Sequence, residues 1–360
     1  MIFSAKKVLF AAALVVSLGL AAFPAEETKG EFAVGGLRVK PGEIGSGYLA
    51  VPEKDGVGTR IPVTVINGAK RGKVLALVAG LHPVEYPPIL ALYRLKAQID
   101  PRTLSGTVVM VHIANLPGFA RRTIYYVPAD WKNLNRVFPG DLKGTLSQRM
   151  AAVITEEVVK RSDALLDMHC GDGNEALIPY TYWMISGDEA FDESTRRLAL
   201  AFGLPHIIID ESRGKDLANS KYLGNTAILM GKPAITTEAG YLGRTDEESV
   251  GRNVKGVLSV MRLYGMISGA AEPAPDPVWI DKYEVVYSKW DGLFYPHLEM
   301  GYYVKAGQVV GRVTDYLGNV KEDVKAPFTG ILLYIIHTPP CNNGEPLFEV
   351  GRVKESMPAR

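Results

Sequence analysis

The chain is 360 residues long, is 47% apolar and carries a formal net charge of +1. That is an ordinary globular composition, with length for about two domains. The balanced charge argues against a nucleic-acid partner, which requires a basic patch or stripe.

In chain order, Lys6-Lys7 precede an apolar run over 8–20, followed by Ala21, Ala22, Pro24, Ala25 and then Glu26-Glu27. This is the layout of a secretory signal peptide and predicts cleavage near Ala25 and a secreted or periplasmic protein. Phe23 fits poorly at the third residue before that cut. The run is short of the roughly 20 residues a membrane span needs, so an uncleaved anchor is the weaker alternative. No stable span is expected after cleavage. No Cys follows the run, which excludes a lipid-modified cysteine there. The two cysteines, Cys170 and Cys341, are expected to be unpaired.

From there to residue 272 the pattern predicts one α/β domain. Apolar strand-like runs at 74–79, 107–113, 164–166, 207–209 and 234–236 alternate with helix-like segments at 89–98, 147–160 and 254–264. Such alternation favours a mostly parallel or mixed sheet flanked by helices. A Pro-rich connector follows over 273–278. Residues 279–360 form short glycine-punctuated runs, including 308–313 and 330–336, and predict a small all-β module.

Three pieces carry the chemistry: Gly80-Leu81-His82-Pro83-Val84-Glu85, Leu166-Asp167-Met168-His169 and Thr236-Thr237-Glu238-Ala239-Gly240. Each follows a predicted strand, and ligand sites in open α/β sheets lie beyond the carboxyl ends of strands. Two imidazoles and a carboxylate, His82, His169 and Glu85, can hold one zinc ion and leave a fourth position for water. Pro83, Pro87 and Pro88 disfavour a long helix through the first piece, which places its ligands in a turn. Glu238 is then the candidate base for that water, and Asp167 the candidate to orient a ligand from behind. In Asn133-Leu134-Asn135-Arg136, Asn135 and Arg136 offer an amide and a planar fork for a substrate carboxylate. Arg121 and Arg122 are candidates to stabilise an oxyanion. Each has a plainer reading: an isolated His-x-x-Glu is usually a surface pair, and an Asn-Arg loop can simply cap a helix.

These pieces resemble the succinylglutamate desuccinylase/aspartoacylase family, a branch of the zinc carboxypeptidase fold. The similarity spans residues 30–270 and is most specific in the run from Asn133 to Gly140. The resemblance implies zinc ligands at His82, Glu85 and His169, a general base at Glu238, and a carboxylate clamp at Asn135 and Arg136. It also implies a carbonyl-polarising arginine at Arg122, with Arg121 competing for the role. Pro83 departs from the family, which usually has Gly after the first His. The C-terminal region resembles a barrel-sandwich module of the biotinyl/lipoyl type in Gly301 to Gly311, Ala326-Pro327-Phe328-Thr329-Gly330 and Gly344-Glu345-Pro346. Lys325 lies outside any carrier hairpin, so the module is expected to be a non-carrier cap.

The expected protein is a zinc-dependent amidohydrolase acting on a small or short peptide-like substrate with a carboxylate; an oligomer is left open. The rival readings are a zinc carboxypeptidase or cell-wall peptide amidase, and a non-catalytic periplasmic binder of an acidic ligand.

Overall fold

After a short hairpin of Phe32–Val34 with Leu37–Val39, two long strands, Glu43–Lys54 (β1) and Val57–Asn67 (β2), form a second hairpin. The structure, a computed structural model, describes residues 30–354. The predicted signal segment therefore lies outside the described residues.

The chain then alternates between strand and helix. Strand Lys70–Ala79 (β3) leads through a short turn into helix Tyr86–Gln98 (α1). Strand Ser105–Val111 (β4) and the short helix Leu116–Arg121 (α2) follow. Helix Leu146–Ile154 (α3) runs into a wider π turn over Thr155–Val159, so the predicted helix over 147–160 is two coils of different pitch. Strands Ala164–His169 (β5), Glu175–Leu177 (β6) and Tyr180–Met184 (β7) come next. After them come helix Glu189–Phe202 (α4), strand His206–Asp210 (β8), helix Leu223–Leu229 (α5), strand Ala234–Glu238 (β9) and helix Glu247–Leu263 (α6). Helices α4 and α6 begin where Asp188 and Asp246 accept the Phe191 and Ser249 N–H groups, each at 2.9 Å. This is the capping that satisfies otherwise orphaned donors.

Strands β9, β5, β3 and β4 are parallel neighbours in that order. Their residues alternate between two cores, as the period of two in a strand demands. Leu75, Leu77, Val108, Met110 and Leu166 pack on the face covered by α1, α4 and α6. Ala76, Val78, Val109, Val111 and Leu165 pack on the face covered by α3 and α5. Burial on both faces explains why these strands read as continuous apolar runs.

The region after residue 277 is β-structured, as expected, but it is not strung beyond the main domain. Strand Val278–Tyr287 (β10) pairs in parallel with β8. Gly330–Ile336 (β11) and Pro346–Val353 (β12) extend the same sheet, and β6 pairs antiparallel with β11. The order is β6-β11-β12-β10-β8-β7-β9-β5-β3-β4-β2-β1. A second, four-stranded antiparallel sheet, built from Val320–Lys325, Val309–Thr314, Gly292–Pro296 and Pro340–Cys341, packs against the C-terminal strands over a third core. Cys170 and Cys341 are both buried and free.

Candidate metal and catalytic centre

The carboxyl ends of β3, β5 and β9 lie side by side, and they bring the three predicted pieces together. His169 and Glu238 are the last residues of β5 and β9, and they are register partners. His82 and Glu85 occupy the turn after β3, where the Glu85 N–H reaches the His82 carbonyl at 3.4 Å. Pro83 is the second residue of that turn, a position that needs φ near −65° and no N–H. Gly80 makes the approach feasible. Its φ is +69°, and a Cβ there would stand 3.0 Å from the Ile113 Cα.

One donor atom from each of His82, Glu85 and His169 lies within 4.8 Å of the others. Both imidazoles present Nδ1 to Glu85, at 2.7 Å from His82 to Oε1 and 2.8 Å from His169 to Oε2. Each Nε2 faces an oxygen on the far side. Asp167 Oδ1 is 3.0 Å from His169 Nε2, and Asn133 Oδ1 is 3.2 Å from His82 Nε2. A ring that donates Nε2–H in this way leaves its Nδ1 lone pair free to bind a metal, and the partner fixes tautomer and orientation. The nitrogen and carboxylate donors suit zinc.

Electrostatics agree with a site built for a cation. Burial works against charge on Glu85, but His169 and His82 outweigh it and hold the carboxylate at about 2. Burial pushes Glu238 well above the usual carboxylate range, against the pull of His169, and Glu85 and Glu175 add to the rise. Its Oε2 is buried without a hydrogen-bond partner. An orphaned carboxylate oxygen beside three candidate ligands fits a group that handles a proton on water.

The donors open on a cavity of about 900 Å³. Both residues of the predicted substrate clamp, Asn135 and Arg136, line this cavity. Arg136 lies over the Tyr222 ring at 4.7 Å, and its Nη1 donates to the Asn135 carbonyl at 2.9 Å. Asn135 is 5% exposed and already engaged: its Oδ1 accepts the Leu223 N–H at 2.9 Å, and its Nδ2 is 3.2 Å from His169 Nε2. It sits beside the candidate ligand ring, and Arg136 is the candidate with a free edge for a carboxylate. Arg121 and Arg122, the candidates for an oxyanion arginine, do not line the cavity. They end α2 at the surface, Arg122 as a left-handed cap with φ 58°, and both are exposed. The cavity wall begins just beyond them, at Ile124 and Tyr125, and its guanidinium groups belong to Arg136 and Arg213.

The sequence reading missed several wall residues. Tyr125 packs edge-on to His82 with ring centres 5.6 Å apart and donates to Glu175 Oε1 at 2.7 Å. Asn133 stood inside the most specific motif, and that was its signal. Tyr283, Tyr287, Tyr334 and Glu349 come from the C-terminal strands, and nothing in their local sequence announced them.

This fold and candidate donor set fit a hydrolase of amide bonds. The chain belongs to the family described as succinylglutamate desuccinylase/aspartoacylase catalytic domain, whose profile matches residues 71–264. An N-alpha-acetyl-L-2,4-diaminobutyric acid deacetylase from Halomonas elongata is 29% identical over 324 residues, 86% of this chain and 92% of that protein. A succinylglutamate desuccinylase/aspartoacylase structure from Rhodobacter sphaeroides superposes with a TM-score of 0.76 at 25% identity, over 87% of this chain and 96% of that one. The product-bound ectoine utilization protein EutE (DoeB) from Ruegeria pomeroyi also gives 0.76 at 25% identity, over 86% and 95%.

Proposed function

We propose that this protein is a zinc-dependent deacylase that hydrolyses the amide bond of a carboxylate-bearing N-acyl amino acid. The observation that carries the reading is the convergence of His82, Glu85, His169 and Glu238 at the mouths of three adjacent strands. Zinc held by His82, Glu85 and His169 would act as a Lewis acid and lower the pKa of water to about 7.

Glu238 accepts the proton of the water that attacks the amide carbonyl and delivers it to the departing amine. Its raised proton affinity suits both halves of that transfer. Asp167 and Asn133 hold the two imidazoles in place from behind. Arg136 takes the substrate carboxylate through its free guanidinium edge. The C-terminal strands wall one side of the cavity, and with the Halomonas relative a deacetylase of an N-acetyl amino acid this favours the deacylase over the peptidase reading. A secreted or periplasmic location is proposed on the pattern of residues 6–25 alone.

The test is metal content and turnover of the purified protein beside H169A and E238Q. Wild type should hold one zinc per chain, and H169A should lose it. E238Q should keep the zinc and lose about 10²- to 10⁴-fold in kcat on N-acyl amino acids. Near-normal turnover by E238Q would refute the base assignment, and a metal-free wild type that takes up no added zinc would refute the enzyme.

A further inference from the structure

Glu349 is an unexplained group in the cavity wall. It sits on β12, in register with Val285 of β10 and Tyr334 of β11, and all three residues line the cavity. It is 1% exposed, and its Oε2 has no hydrogen-bond partner. The Tyr182 hydroxyl bonds to this carboxyl group. The nearby guanidinium of Arg213 is committed elsewhere: it pairs with Asp210 and lies over the rings of Tyr182 and Tyr222, at 5.4 and 4.1 Å. No ion pair to Glu349 within 4.0 Å forms among the described residues.

A buried carboxyl left half satisfied is destabilising, so its presence calls for a reason. Nothing in the amide chemistry uses it, because the candidate metal donors and base lie at the carboxyl ends of β3, β5 and β9. Burial raises the group to about 8 even with Arg213 opposing; a cation placed beside it would restore its charge. The surroundings suit a cation too. Tyr182, Tyr283, Tyr287 and Tyr334 line the same wall, and aromatic faces attract ammonium groups.

We propose that Glu349 is a specificity-determining residue that receives an amino group on the side chain of the substrate's amino acid. The site then prefers amides of diamino acids over isosteric amides with an uncharged side chain. This rests on the deacylase reading above and adds to it the residue that selects the substrate.

The experiment compares kcat/KM of the zinc-loaded full chain and its E349Q variant on two substrates. Nα-acetyl-2,4-diaminobutyrate carries the ammonium, and N-acetylnorvaline replaces it with a methyl group of the same reach. Wild type should prefer the diamino substrate. E349Q should lower that preference by about 10- to 100-fold, as expected for a hydrogen bond to a charged group, with the loss concentrated in KM for the diamino substrate. An equal loss on both substrates, or an unaltered ratio, would overturn the proposal by reducing Glu349 to a packing residue. Calorimetric binding of free 2,4-diaminobutyrate and norvaline to the wild-type protein decides the matter without a variant, and equal affinities also overturn it. If wild type hydrolyses neither amide, the deacylase reading loses its support, while the calorimetric comparison still judges Glu349.

Discussion

Replacing Asp167 by Asn tests whether the residue behind His169 tunes the metal site. The substitution keeps side-chain volume and removes one charge. Asp167 is 0% exposed, its Oδ1 is 3.0 Å from His169 Nε2, and its Oδ2 accepts the Thr236 hydroxyl at 3.3 Å. The carboxylate stabilises the Nε2–H tautomer and raises the basicity of Nδ1, the atom that faces Glu85. An Asn either offers a weaker neutral acceptor or turns its NH₂ toward an N–H donor. Losing such a partner typically weakens metal binding by about 10- to 100-fold, or about 1.4–2.7 kcal/mol. Zinc affinity would be read by competition with a chromophoric chelator, with circular dichroism confirming that the variant is folded. A zinc affinity within about twofold of wild type would show that Asp167 is a structural carboxylate and that the orientation argument fails.

Arg136→Ala should raise KM for carboxylate-bearing substrates by at least about tenfold with a smaller change in kcat; an equal loss on uncharged amides would argue against the clamp. His112 supplies a pH test away from the site. Its Nε2 bonds to Thr64 Oγ1 at 2.8 Å and its ring stacks on Tyr93, while burial, with Lys96 adding, lowers it from 6.5 to about 4. A base depressed in this way stabilises the fold fully above its unfolded pKa and loses that contribution as pH falls toward the folded value. Wild type should therefore lose about 3 kcal/mol between pH 6.5 and 4 that His112→Gln does not lose, measured by urea unfolding. Parallel stability curves for the two proteins would refute this.

The donor set was legible because each member follows an apolar strand, and strands β3, β5 and β9 are buried on both faces and so read as unbroken apolar runs. Helix α4 escaped notice because its exposed side, with Glu189, Glu193 and Arg197, and the buried Asp192 break the apolar run that announced the other helices. Arg136 was legible from its motif, but that Arg213 rather than Arg122 joins it at the cavity was not. Arg122 and Arg213 differ in tertiary placement, and no local pattern in the chain encodes that difference. How the C-terminal module joins the main domain was not legible for a related reason: residues 273–278 have the composition of a linker, and the next strand pairs with a strand far upstream.

The pairing of β6 with β11 also bears on how the protein is made. His82, Glu85, His169 and Glu238 all leave the ribosome well before Tyr283, Tyr334 and Glu349. The nascent chain therefore carries every candidate metal donor while the β8 edge of its sheet is still unpaired and one side of the future cavity is open to solvent. A chain cut at the Pro-rich connector would be fixed at that stage, with the candidate catalytic set complete and a sticky strand edge in place of the C-terminal wall.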